Sequence, residues 1–363
     1  MRARSTRLAG IALAAGLGLA SLAACGSSDN TSTTPGSTGD AAAGGKKIAL
    51  LLPESKTTRY ETFDKPLFEA AVKAACADCT IIYSNADQNA AKQQQQAESA
   101  LTQGADVLVL DPVDGAAAAS VVASAKGSSI PVVAYDRFIE GADYYVSFDN
   151  ATVGKIQATT LVDLLKAGGK TSGDLVMING SPTDPNAADF KSGAHSVLDG
   201  SGFKIAAEYD TPDWSPDKAQ QWMEGQISAV KGNLVGVYAA NDGTAGGAIA
   251  ALKGGGVTPL PPVTGQDSEL AAIQRILLGD QAMTIYKPIE PEAEAAAKAA
   301  LALANGQTPE KTTDFKGVPS TILDPIAVVK DNIKDTVVKD GIYKVSDICT
   351  GEVAAACTEA GIS

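Results

Sequence analysis

From Lys46 onward the chain alternates short apolar runs with longer amphipathic stretches, and few folds accept that alternation. A run such as Ile48-Ala49-Leu50-Leu51-Leu52 is apolar on both faces of a strand, so both faces must be covered. Strands that alternate with helices are the pattern of a parallel α/β sheet. The reading places strands over 48–52, 80–83, 107–110 and 132–135, with helices over 63–75, 89–103 and 116–126. A second series follows residue 150, with strands over 174–178, 204–208, 234–238, 263–264 and 283–286. Its helices are predicted over 152–165, 187–198, 216–230, 244–253 and 269–278. The expected fold class is therefore α/β, with two doubly wound parallel-sheet lobes.

The chain has 363 residues, 45% of them hydrophobic, enough for two such cores. Its formal charge of −13 argues against a nucleic-acid partner. The first residues stand apart. Arg2, Arg4 and Arg7 precede an apolar stretch over 8–22 that is too short and too rich in Gly and Ala to be a membrane span. Leu22-Ala23-Ala24-Cys25-Gly26 then resembles a bacterial lipobox. Residues 1–24 are expected to be a lipoprotein signal peptide, with Cys25 lipidated and the protein held on the outer side of the cell membrane. Residues 25–45 carry almost no large apolar side chain and are expected to form a flexible stalk.

Four more cysteines remain in this oxidising setting, in two local pairs, Cys76 with Cys79 and Cys349 with Cys357. Structural disulfides are the expectation. A redox role suits the first pair less, because it ends a helical pattern, where a thiolate gains nothing from the helix dipole. Zinc would need four ligands at a spacing the chain does not offer, and no metal or cofactor is expected. The single histidine, His195, falls within a predicted helix and leaves Ser-His-Asp chemistry hard to build.

In α/β sheets ligands bind beyond the carboxyl ends of the strands, and two facing lobes leave a cleft there. The strand ends of this chain are polar. They carry Arg59 and Tyr60 after the first strand, Asp136-Arg137 after the fourth, and Asn186 in the loop beyond Ile178. In the second lobe they carry Trp214, Asn241-Asp242, Asp267 and Lys287. Each sugar hydroxyl donates once and accepts twice, so Asp, Asn and Arg forks can hold neighbouring hydroxyls while an aromatic face covers the C–H face. Trp214, Tyr60 and Phe63 are candidates for that face. Asp and Asn at strand-to-helix turns also cap helices, and Asp242 or Asp267 taken singly fits that role as well.

Other motifs fail. Gly168-Gly169-Lys170-Thr171 lacks the first glycine of a P-loop, where Leu164 stands, and follows a helix. Ser215-Pro216-Asp217-Lys218 has the S-x-x-K spacing without its partner motifs, and Ser215 suits a helix N-cap with Pro216 in the first turn. Glu54 and Asp136 could serve as a glycosidase carboxylate pair only if they faced each other across the cleft.

Several stretches match one family in order. They are Ala134-Tyr135-Asp136-Arg137, Tyr145-Val146-Ser147-Phe148-Asp149-Asn150, and Gly180-Ser181-Pro182 with Asn186-Ala187. Further on come Asn241-Asp242 with Thr244-Ala245-Gly246-Gly247-Ala248, Gly265-Gln266-Asp267, Thr284-Ile285-Tyr286-Lys287-Pro288 and Asn332-Ile333-Lys334-Asp335-Thr336-Val337. In these, residues 46 to about 345 resemble the sugar-binding proteins of ABC importers, of type I periplasmic binding fold, and within them the D-xylose-binding proteins. The resemblance implies a monomeric binder, not an enzyme, that closes around an aldose and delivers it to an ABC permease. It implies lobes formed by 46–149 plus about 288–318 and by 150–287 plus about 319–363, with hinges near 149–151, 286–288 and 312–319. It assigns sugar contacts to Asp136, Arg137, Asn186, Trp214, Asn241, Asp267 and Lys287. Xylose binders carry an Arg-Trp pair where this chain has Thr62-Phe63, while binders of broader range place an Arg-aromatic pair where Arg59-Tyr60 stands. The alternatives are a sugar sensor that serves a receptor and an exported enzyme acting on saccharides.

Overall fold

The structure, a computed structural model, describes residues 45–362. The expected signal peptide, Cys25 and the stalk as far as residue 44 lie outside the described residues. The first lobe opens with β1 (Lys47–Leu52), β2 (Thr80–Asn85), β3 (Val107–Leu110), β4 (Val132–Tyr135) and β5 (Tyr144–Phe148). These pair in parallel in the order β5-β4-β3-β1-β2. The intervening helices are α1 (Lys65–Ala75), α2 (Ala90–Thr102) and α3 (Ala118–Gly127). Ile48, Leu50 and Leu52 of β1 pack with Phe68 and Val72 on one face, and Ala49 and Leu51 pack with Ala97 and Ala100 on the other. Two covered faces are why the run is apolar throughout.

The second lobe follows as α4 (Asn150–Ala167), β6 (Asp174–Asn179), α5 (Pro185–Leu198), β7 (Lys204–Asp210), α6 (Pro216–Val230), β8 (Leu234–Ala239), α7 (Asp242–Gly254), α8 (Leu270–Leu278) and β9 (Thr284–Tyr286). Its parallel strands run β7-β6-β8. The strand expected at 263–264 is reduced to a bridge between Val263 and Val237. Backbone hydrogen bonds from Thr264 N to Val237 O (3.1 Å) and from Ile285 N to Gly265 O (3.1 Å) carry the sheet on to β9.

The chain then returns. Helix α9 (Ile289–Ala304) packs Ala293, Ala296, Ala297 and Ala300 into the first lobe's core. A hairpin of β10 (Thr313–Phe315) and β11 (Val318–Leu323) adds β11 parallel to β5, making seven strands. β12 (Ile326–Val328) goes back to pair with β9. The chain thus crosses between sheets three times, between β5 and α4, β9 and α9, and β11 and β12. The third crossing was expected within 312–319, with the second lobe resuming at 319. It lies instead at Asp324-Pro325, because β11 stays bonded to β5 as far as Leu323, opposite Phe148. Strand β5, helix α9 and the hairpin were not among the predicted elements.

At the end of the chain α10 (Val345–Ile348) and α11 (Val353–Glu359) pack on α8 around Ile273, Ile276 and Leu277. The disulfide Cys349–Cys357 joins them, and Cys76–Cys79 closes the turn after α1.

Candidate functional site

The carboxyl ends of both sets of strands meet around one small, narrow cleft. All nine residues expected to contact a ligand line it: Arg59, Tyr60, Asp136, Arg137, Asn186, Trp214, Asn241, Asp267 and Lys287. Thr57, Asp184, Phe190 and Gln266 complete the wall.

Arg59 begins the turn after β1 and is held from three directions. Its Nε and Nη2 donate to the two oxygens of Asp64 (3.0 and 2.6 Å), Nη2 also to Glu292 Oε2 on α9 (2.7 Å), and Nη1 to Asp136 Oδ1 (3.2 Å). Tyr60 sits between the Arg59 and Arg137 guanidinium groups, 5.4 and 5.7 Å from its ring centre. Its hydroxyl accepts from Arg137 Nη2 (3.0 Å) and donates to Asp136 Oδ2 (3.4 Å). Tyr60 thereby links charged groups in addition to offering a ring. Phe63, the third aromatic candidate, packs edge-on against Tyr343 and is not part of the wall, because its turn points it away from the cleft toward the C-terminal segment.

Opposite, Asp184 caps α5 and does two further jobs. Its carboxylate accepts from Asn186 N (2.8 Å) and from Trp214 Nε1 (2.9 Å), and Oδ2 lies 2.8 Å from Arg137 Nε. Trp214 is pressed so closely on Gly180 that a Cβ there would lie 2.0 Å from the indole. Asn241 caps α7 through its side-chain oxygen, which accepts from Thr244 N (2.9 Å). Capping and lining the cleft are thus compatible. Asp242 is only a brace, accepting from Gln281 Nε2, Thr284 Oγ1 and Glu269 N at 2.7–2.9 Å.

Lys287 follows β9 and reaches Asp267 Oδ1 at 3.0 Å and Asp136 Oδ1 at 3.8 Å. Burial alone would lower its pKa, but Asp267 and Asp136 raise it, so it stays charged. Burial likewise works to raise Asp136, yet Arg59, Lys287 and Arg137 outweigh it and hold the carboxyl below its ordinary range. Asp184 moves the other way, raised chiefly by burial. Three carboxylates on the wall therefore face three cations, a balance that favours a neutral polar ligand.

The backbone is bent to make this surface. Asp136 (φ 54°), Trp214 (φ 53°) and Asp267 (φ 90°) all occupy the left-handed region, which costs a non-glycine residue energy. Strain concentrated at three wall residues marks them as placed for use. Gln266 Oε1 is buried without a partner among the described residues, as a group reserved for a ligand would be.

Residues 48–308 match the model of the periplasmic binding protein domain. The chain belongs to that family. It is 39% identical over 312 residues to the D-xylose-binding periplasmic protein of Escherichia coli (strain K12), covering 83% of this chain and 92% of that protein. A multiple sugar-binding periplasmic receptor of Rhizobium radiobacter is 36% identical over 288 residues, 72% of this chain and 81% of the receptor. Among solved structures, an ABC transporter solute-binding protein from Clostridium phytofermentans with bound β-D-glucose superposes with a TM-score of 0.77 at 27% identity, over 84% of this chain and all of that one. These relatives are binding proteins, in keeping with the chemistry of the wall.

A glycosidase would need two carboxyls facing each other across the cleft. Glu54, the proposed partner of Asp136, is turned back to accept from Lys56 N and Thr57 N and is not on the wall. His195 lies on the far side of α5, bonded to Asp199 (2.9 Å) and Glu208 (3.2 Å). Sequence reasoning missed Asp184, Phe190, Thr57 and Gln266. Asp184 alone carried a signal, as an N-cap before Pro185 in a loop already placed at a strand end.

Proposed function

We propose that this chain is the extracytoplasmic binding component of an ABC sugar importer, taking one neutral monosaccharide, D-xylose or a related aldose, between its lobes. The observation that carries the reading is the wall itself, where paired Asp and Arg or Lys groups and the faces of Trp214 and Phe190 surround one small cleft. Fixed forks recognise adjacent hydroxyls, and aromatic rings cover a pyranose C–H face. The 39% identity to a D-xylose-binding protein supports the pentose, and the glucose-bound neighbour keeps hexoses in contention.

In mechanism, the sugar binds to one lobe of an open cleft and the three crossings near 149, 287 and 324 act as the hinge. Contacts to both lobes exist only in the closed form, so the sugar shifts the equilibrium toward it. The closed form then docks on a permease as a monomer, tethered through lipid on Cys25. The test is calorimetry of the purified protein against xylose, glucose, galactose, arabinose and ribose. Tight binding of xylose alone establishes a pentose binder, binding of several aldoses a broader importer, and no heat with any of them refutes the monosaccharide reading.

A further inference from the structure

Asp111 follows β3, is fully buried, and has no hydrogen-bond partner among the described residues for either carboxylate oxygen. Buried polar groups are nearly always satisfied, so an orphaned carboxylate needs a reason. It lies behind the wall, with Oδ1 3.5 Å from Arg137 Nε, while Asp184 Oδ2 lies 2.8 Å from the same nitrogen; both contacts are ion pairs, since Nε makes no aligned hydrogen bond among the described residues. The two acids belong to different lobes. Asp111 stands on the first lobe with Arg137, and Asp184 caps α5 of the second. The other Arg137 nitrogens are bonded within the first lobe, Nη1 to Pro112 O (3.0 Å) and Nη2 to the Tyr60 hydroxyl (3.0 Å). A lobe movement therefore changes the partner of Nε alone.

We propose that Arg137 exchanges ion-pair partners on its Nε side, Asp111 when the cleft is open and Asp184 when it is shut, so that Asp111 is a positioning residue that keeps Arg137 aimed in the empty protein. This rests on the lobe closure argued above.

The exchange also changes how readily Asp111 takes a proton. In the closed form burial pushes the Asp111 carboxyl well above its usual range; Arg137 and Arg59 oppose this, and the Asp136 and Asp184 charges reinforce it. Tyr60 is the remaining titratable neighbour and stays protonated, its own pKa raised chiefly by burial. In the open form the carboxylate is stabilised by water and by Arg137 Nε. Closure strips water from the Asp111 carboxylate and so favours its taking a proton from the buffer; no other bond is made or broken. Because the Asp111 pKa is higher in the closed form than in the open one, sugar binding is expected to tighten as pH falls and weaken as it rises.

The experiment titrates the purified wild-type protein and Asp111→Asn with D-xylose in two buffers of different ionisation enthalpy, at pH 6 and pH 8. The asparagine mimics the neutral acid and leaves the open form without its pair. Expected is proton uptake in the wild type, reduced uptake and a flattened pH response in the variant, and xylose affinity at pH 8 that is roughly three- to tenfold tighter in the variant. A merely structural role predicts weaker binding. A folded variant that binds more weakly, or takes up as many protons as the wild type, overturns the proposal. So does wild-type binding without proton uptake, which needs no variant. Absence of heat with every aldose instead defeats the sugar reading and this inference with it.

Discussion

Gly180 has no side chain to contribute, yet the position of Trp214 depends on it. A methyl group there would lie 2.0 Å from the indole, and neither the buried ring nor the strand behind it can give way by so much. Gly180→Ala is therefore expected to push Trp214 off Asp184 and out of the cleft. Loss of an aromatic face is worth about 0.5–1.5 kcal/mol, or up to roughly tenfold in sugar affinity. Calorimetry measures the loss, and tryptophan emission should shift to the red. The other tryptophan, Trp222, is stacked on Tyr209 at 5.0 Å and serves as an unchanged background. If emission and affinity both match the wild type, Gly180 does not set the indole. At this scale much of the wall was legible, since strand ends in α/β sheets are where ligands sit and polar planar groups stand out there. Asp184 and Phe190 were harder to see. One reads as a plain N-cap and the other as helix core, and only three-dimensional placement turns both toward the cleft.

Elements differed in legibility for a related reason. Strands β1, β3 and β4, buried on both faces, announce themselves as apolar runs. β5 is also fully buried but reads YYVSF, and its Ser147 is satisfied by donating to Asp136 O (2.5 Å) and accepting from Asn150 Nδ2 (3.4 Å), contacts invisible in the sequence. β10 is three residues long and largely exposed, with no periodicity to detect. α10 and α11 are likewise short, so they depend on outside support. Cys349–Cys357 supplies part of it, along with packing on Ile273 and Ile276. Closing so short a loop restricts the unfolded chain by about 2–3 kcal/mol. Cys357→Ser together with Cys349→Ser is expected to lower the melting temperature by several degrees. This unit packs on Tyr286, next to Lys287, but does not touch the wall, so sugar affinity should hold within about twofold. A melting temperature equal to that of the wild type would show that packing alone retains the segment.

For the whole molecule the question is how much of closure the protein supplies by itself. Several contacts join the lobes directly. Gly115 N donates to Thr183 O (3.1 Å), Thr183 Oγ1 to Val113 O (3.1 Å), Asn186 Nδ2 to Asp136 O (2.9 Å), and Gln88 Nε2 to Asp213 O (3.2 Å). Each is worth about 0.5–1.5 kcal/mol net, enough together to give the sugar-free protein a substantial closed population. Gln88 tests this without touching the wall. It follows Asp87 in the left-handed region (φ 62° and 49°), and its partner carbonyl belongs to the strained turn that carries Trp214. Gln88→Asn retains an amide and tolerates that backbone, but its side chain is one methylene too short to reach. The variant is expected to be more open without sugar, with a larger radius of gyration by small-angle scattering, and to match the wild type at saturation. Because the contact forms only after encounter, the lost affinity, up to about tenfold, should fall on the dissociation rate while association is nearly unchanged. An unchanged dissociation rate would mean that the sugar, not the lobes, holds the cleft shut. A slowed association would instead place Gln88 in the encounter step and assign the latch to Thr183.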